Sequence, residues 1–387
     1  MYRVTVSQTT LRTHSMVRSW ISFDFILGLS TLAAVAFGVI MVFSASQGLG
    51  TSDLSWGDFA VRQAVYASIG LLAMLLMTRV EFHLLESFTW PLYLTGVTLL
   101  GGLFLAGHTV LGATRWIQLG SQGIQPSEVA KILLVLALAK LLGDNEKRLG
   151  KFRFYLASIV IMIIPAGLVY LQPDLGTALT CVAIWLAMVV AARVRLAYLI
   201  GTVLVSAPVV WLALNTNDIL KDYQRKRLLI FLHPESDILG DGYNILQARI
   251  TIGTGGLFGQ GFMNGTQSQG GFLKVAQSDF IFSVLAEEFG FLGAMALVAL
   301  LLIITWRYLH AASQAPTTYT GLICVGLAAW LAVQIFVNIG MNLSLMPVTG
   351  IPLPFISAGG TSLISLLAAQ GLVQGVALRS RKLKFGG

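Results

Sequence analysis

The sequence predicts an all-α polytopic membrane protein with about ten transmembrane helices, and two observations carry that class. Of its 387 residues, 56% are hydrophobic and only 11% are charged, whereas soluble domains carry about 25% charged residues. With a mean hydropathy of +0.79, the chain cannot place its apolar surface inside one water-soluble core, so lipid must solvate much of it. The apolar residues also fall into runs near the roughly 20 residues needed to cross a hydrocarbon layer about 30 Å thick.

Taken in order, the runs are Phe25–Ala45, Ala60–Met77, Trp90–Gly107, Val129–Leu142, Phe154–Leu171, Leu175–Ala192, Ala197–Leu214, Phe280–Leu309, Tyr319–Met341 and Ser362–Leu378. The fourth is short and the eighth overlong. Arg3, Arg12 and Arg18 precede the first run, as in a signal peptide. Its apolar stretch exceeds a signal core, which predicts a retained helix. One integral membrane domain is expected over residues 1–387, with a cytoplasmic segment at 1–22, a large external loop at 215–278 and a basic cytoplasmic tail at 379–387.

Basic residues set the orientation. With the N-terminus inside, Arg79, Lys147, Arg148, Lys151, Arg153, Arg193, Arg195, Arg307 and the tail's Arg379, Arg381, Lys382 and Lys384 all fall on the cytoplasmic side. Short external segments hold little beyond Arg62 and Arg115. Both termini are therefore predicted to be cytoplasmic. The net charge of +8 then expresses topology, not a nucleic-acid footprint. Cys181 and Cys324 lie in apolar runs and read as packing residues. The five histidines show no metal-ligand spacing, so no metal site is expected.

Two further segments, His108–Ser127 and Asn342–Thr361, are too long for tight turns and too apolar for solvated loops. They read as re-entrant or interfacial. Charges within or beside the spans (Glu128, Lys131, Asp174, Asp279, Glu287 and Glu288) cost free energy unless paired, and are functional-site candidates by default. Plainer roles stand beside that one: Asp174 and Asp279 are placed as helix caps, and Glu128 with Lys131, three residues apart, as a structural ion pair. Their shared placement at the outer ends of helices favours function. The stretch Gly253–Gly261 contains neither a GxGxxG register nor a GK[ST]; it predicts flexible loop backbone and no nucleotide site.

Several motifs then resemble one known family. They are Arg115-Trp116-Ile117, Gln125-Pro-Ser-Glu-Val-Ala-Lys131, Gln172-Pro-Asp-Leu-Gly-Thr177, Asn264-Gly-Thr-Gln-Ser-Gln269, Asp279-Phe-Ile-Phe-Ser-Val-Leu-Ala-Glu-Glu288 and Pro347-Val-Thr-Gly-Ile-Pro-Leu-Pro-Phe-Ile-Ser357. In this order they resemble the SEDS family (shape, elongation, division and sporulation), and within it the RodA-like branch. Ala358, Thr361 and Gln277-Ser278 depart from the family's usual Tyr, Ser and His-Thr.

The resemblance implies a peptidoglycan glycosyltransferase in the bacterial inner membrane, its active site facing outward. Its substrate would be lipid II, an undecaprenyl-pyrophosphate-linked disaccharide-pentapeptide, and its product a β-1,4 glycan for cell elongation. The implied partners are a class B penicillin-binding protein and other membrane proteins of the elongation machinery. Asp279 matches the family's catalytic aspartate and is the expected general base. Arg115 and Lys131, on motif matches, and Arg225 and Arg249, on loop position, are candidate pyrophosphate contacts. Glu128, Asp174 and Ser357 are further candidate substrate-site residues, with Asp174 also an expected partner of Lys131. A divalent cation, magnesium or manganese, would suit a pyrophosphate, but the sequence shows no dedicated carboxylate cage. The competing classes are a lipid II flippase, which would need a polar path to both faces, and a non-enzymatic scaffold for the penicillin-binding protein.

Overall fold

The computed structural model describes residues 23–47, 56–106, 108–110, 113–119, 122–215, 222–237 and 240–384. Ten long helices coincide with the ten predicted runs: α1 Phe25–Gln47, α2 Trp56–Arg79, α4 Thr89–Ala106 (after the short α3, Phe82–Ser87), α5 Pro126–Asp144, α6 Phe152–Leu171, α7 Leu175–Ala191, α8 Leu196–Asn215, α12 Ile281–Ser313, α13 Thr318–Asn342 and α14 Gly360–Lys384. Among the described residues six of these, α1, α2, α6, α12, α13 and α14, are long and apolar enough to cross a membrane. The chain is a multi-pass membrane bundle. α13 packs against α5, α7 and α12, while α14 packs along α2. Apolar side chains on the rim, such as Leu72, Val205 and Phe336, stay exposed, as a lipid-facing surface requires.

The predicted signal-like run is the helix α1, anchored through Asp24. The Asp24 carboxylate accepts from the Leu27 amide at 3.2 Å and from Arg307 Nε at 2.9 Å. The predicted basic tail is helical as far as Lys384. Within it Arg379 donates to the Val80 carbonyl at 2.7 Å, satisfying the end of α2. Residues 1–22 and 385–387 lie outside the described residues.

The overlong eighth run is two helical pieces joined at Gly290, where φ is 67° and ψ is −167°. A break in a buried helix frees peptide groups that need other partners. The glycine stretch supplies them. Gln260 and Gly261 amides donate to the Glu287 and Glu288 carbonyls at 2.9 and 3.0 Å, and the Phe291 and Leu292 amides donate to the Gly256 and Leu257 carbonyls at 2.9 and 3.2 Å. The expectation of flexible backbone is thus corrected. Gly259 adopts φ +82°, and a Cβ there would overlap the Glu288 carbonyl. Gly259→Ala should cost at least about 2 kcal/mol, from left-handed strain and overpacking together. Thermal unfolding in detergent checks this; an unchanged midpoint would contradict the packing.

The expected large loop at 215–278 is substantially ordered. It contains α9 Asp222–Leu232, a 3₁₀ turn Pro234–Asp237, α10 Asp241–Thr254 and the short α11 Thr266–Gln269, with α10 packed on α12. Residues 216–221 and 238–239 lie outside the described residues. The 108–127 segment holds a three-stranded antiparallel sheet, β1 His108–Val110, β2 Ala113–Leu119 and β3 Gln122–Ile124, in which Ile117 faces Ile124. Between α13 and α14 the chain is irregular, yet Leu353, Phe355 and Ile356 are buried. That is re-entrant backbone held within protein.

Candidate active site

One end of the bundle gathers the starts of α5, α7, α12 and α14 and the end of α13. Asp279 lies two residues before α12. Its main chain is fixed by a pair of asparagines four apart on α13, and hence on one helix face. Asn338 Nδ2 donates to the Asp279 carbonyl at 3.2 Å and to the Ile351 carbonyl at 2.8 Å. Asn342 Nδ2 donates to the same Asp279 carbonyl at 3.0 Å. The Asn342 Oδ1 accepts from the Ser283 amide at 3.2 Å and the Ser283 hydroxyl at 2.7 Å, capping the first turn of α12 from another helix. Neither asparagine was singled out in the sequence, although an amide pair inside an apolar span was a readable signal.

The Asp279 carboxylate accepts from Ser278 Oγ at 3.1 Å. Burial pushes its pKa above the ordinary carboxylate value, while that hydrogen bond and the charge of Arg227 pull in the opposite direction. Among the described residues the cation whose charge acts on Asp279 is Arg227 of α9. Arg225, two residues earlier on the same helix, is half-buried, and Arg249 of α10 is exposed; the structure shows no contact of either with Asp279. Arg115 lies in β2, and its side chain lies outside the described residues.

Ser357 does not stand free for substrate. Its hydroxyl donates to the Ser278 carbonyl at 2.5 Å and accepts from the Leu353 amide at 2.8 Å. With the Ala358 amide donating to the Gln277 carbonyl at 2.8 Å, it fastens the proline-rich segment beside Asp279. Its geometry is that of a positioning residue.

Next to Asp279 is a cavity of about 80 Å³ lined by Trp116 of β2, Glu128 and Lys131 of α5, Asp174 before α7, Gln334 of α13 and Gly350. Gly350 has φ +74°, and a Cβ built on it would sit 3.8 Å from Asp279 Oδ2, so the cavity and Asp279 adjoin. Lys131 Nζ lies 2.7 Å from Glu128 Oε1 and 4.6 Å from the centre of the Trp330 ring, and the residue is 1% exposed. That ammonium has its counter-charge and an aromatic face, in the ion pair that the three-residue spacing of Glu128 and Lys131 allowed. Asp174 caps α7, its carboxylate accepting from the Thr177 amide at 3.1 Å and the Thr177 hydroxyl at 3.0 Å.

The side chains of Glu287 and Glu288, flagged as intramembrane charges, hold α11 and α1. Glu287 accepts from the Gln267 and Ser268 amides at 2.7 and 2.9 Å, and Glu288 accepts from the Ser44 hydroxyl of α1. Among the described residues no group of three or more His, Cys, Asp or Glu side chains is arranged to hold a metal ion.

Comparison with known proteins gives a consistent result. The peptidoglycan glycosyltransferase MrdB of Escherichia coli K12 is 37% identical over 354 residues, covering 89% of this chain and 90% of that protein. A probable peptidoglycan glycosyltransferase FtsW of Trichlorobacter lovleyi is 34% identical over 356 residues, covering 91% and 92%. Among solved structures, a chain from a peptidoglycan synthase complex coordinating polymerization and crosslinking superposes with a TM-score of 0.78 at 33% identity, covering 95% of this chain and 100% of that one. The rod-shape-determining protein RodA of Thermus thermophilus superposes with a TM-score of 0.68 at 29% identity, covering 92% and 97%. A family model described as "Cell cycle protein" (FtsW, RodA, SpoVE) matches residues 25–382, and the chain belongs to that family, the SEDS family its motifs resemble.

Proposed function

We propose that this protein is a peptidoglycan glycosyltransferase that polymerises lipid II into β-1,4 glycan during cell elongation. The observation that carries the reading is Asp279, its main chain fixed by Asn338 and Asn342, its carboxylate subject to the charge of Arg227, and a polar cavity adjoining it. In the reaction a hydroxyl of one lipid-linked sugar attacks the anomeric carbon of another. The new C–O bond forms as the bond to pyrophosphate breaks, and Asp279 takes the hydroxyl proton. Arg227, with Arg225, Arg249 and Arg115, would stabilise the charge growing on the departing polyprenyl pyrophosphate. No step is routed through a divalent cation.

The same end of the bundle is read as facing outward. The helix ends opposite it carry Arg79, Lys147, Arg148, Arg193 and Arg195, as cytoplasmic ends do. On this reading the protein lies in the inner membrane with both termini inside. A class B penicillin-binding protein is the proposed partner, as the synthase-complex neighbour suggests; other elongation-machinery proteins remain part of the proposal. Against translocation, α5 is apolar and buried from Leu134 to Ala139, which gives that helix no polar path to the far side.

The reading is tested by following undecaprenyl pyrophosphate release from lipid II in detergent with the partner present. Release matched one-for-one with new glycosidic bonds is expected; lipid movement across vesicles without release would overturn it. The pH dependence gives a second check. A base must be ionised, so the rate should rise as pH climbs through the elevated pKa of Asp279. Arg227 favours the ionised form, so Arg227→Gln should move that rise to higher pH. An unmoved profile would remove Arg227 from the site.

A further inference from the structure

The cavity beside Asp279 is built to accept hydrogen bonds. Its described charged side chains are two carboxylates, Glu128 and Asp174, against one ammonium, Lys131, and that ammonium is held by Glu128 Oε1 and Trp330. Two buried acceptor oxygens, Glu128 Oε2 and Gln334 Oε1, have no hydrogen-bond partner, although the residues are only 2% and 1% exposed. Buried acceptors left unfilled are costly and call for a donor. Trp116, half-exposed, supplies an aromatic face in the same lining. An indole, whose negative π surface attracts the C–H groups of a sugar ring, together with buried unfilled acceptors in the same lining, is the chemistry of a saccharide subsite. About 80 Å³ admits one edge of a sugar ring and not a disaccharide with its pyrophosphate.

Resting on the polymerase reading above, we infer that this cavity receives one sugar hydroxyl of the lipid-linked disaccharide. Gln334 Oε1 accepts from that hydroxyl, and Trp116 stacks on the ring. Gln334 is then a specificity-determining residue, selecting the saccharide and setting it beside Asp279 through their shared neighbour Gly350.

The test uses the full-length protein with its transpeptidase partner and a panel of lipid II analogues, each with one sugar hydroxyl replaced by hydrogen. The native protein should show a KM about tenfold higher for one analogue than for lipid II, the scale of one lost hydrogen bond to a buried group, with kcat little changed. Gln334→Met keeps volume and removes the acceptor. It should raise KM for lipid II about tenfold, leave thermal unfolding unchanged and abolish discrimination against that one analogue. Uniform KM values across the panel for the native protein would overturn the inference, and they decide it even if Gln334→Met fails to fold. Full discrimination retained by a folded Gln334→Met would overturn it too. Failure to polymerise lipid II itself would instead refute the polymerase reading, so the two failures are distinct.

Discussion

Asp279→Asn should abolish glycan polymerisation and leave the helix bundle intact. The amide keeps the size of the carboxyl and can still receive the Ser278 hydroxyl, which donates at 3.1 Å in the native protein. The carbonyl contacts from Asn338 and Asn342 involve main chain and are unaffected. What disappears is the base. General-base catalysis is worth about 10²–10⁴-fold, so the turnover rate should fall by at least that range. Stability should hold or rise, because burial opposes the charged form at this position and asparagine removes that cost. Rates from a fluorescent lipid II assay, read beside thermal unfolding, check both halves. Near-native turnover would remove Asp279 from the chemistry, and loss of folding would make its role structural.

Lys131→Ala should do the reverse, damaging the fold first. The substitution leaves Glu128 as a buried carboxylate without the ammonium 2.7 Å away and opens space beside Trp330. Breaking a buried pair by removing one partner costs about 3–5 kcal/mol. The double substitution Lys131→Met with Glu128→Gln removes both charges and refills the volume, so it should recover much of that loss. Detergent unfolding midpoints of the native protein, Lys131→Met, Glu128→Gln and the double variant check this. An additive pair of effects, with the double variant worse than either single, would show that the two side chains do not depend on each other.

Much of the architecture was legible because hydrophobic length is a strong signal. Each long helix falls on an apolar run, and the outer residues differ only where the helix continues into polar ends, as from Leu378 to Lys384. The overlong eighth run concealed Gly290, since a hydropathy average cannot register one residue at positive φ. The partner of that break, the 256–261 stretch, looked flexible for the same reason: glycine composition alone does not separate a mobile loop from a close backbone approach. The small sheet was missed because its strands are short and the segment was judged by hydropathy.

At the candidate site, Asp279, Glu128, Lys131 and Asp174 were readable as charges where lipid-facing helices should have none, and the motif resemblance singled out Asp279 among them. Their roles were less readable. Lys131 also lies against Trp330, some 200 residues away in sequence, and no spacing rule reports that contact. Arg225 and Arg249 were named on loop position, which carries no rotational phase; among the described residues the charge that acts on Asp279 is Arg227 of α9. Asn338 and Asn342 disappeared into the hydropathy of α13, and Ser357 looked available until the 2.5 Å bond to the Ser278 carbonyl placed it in the backbone frame.

The most direct test is to incubate the purified native protein, together with a class B penicillin-binding protein whose transpeptidase is blocked, with lipid II and separate the products by gel. The expected result is a ladder of glycan strands that a β-1,4 muramidase digests, from native protein only. Intact lipid II in every lane, with the protein folded and the partner bound, would contradict the assignment of this site as a polymerase.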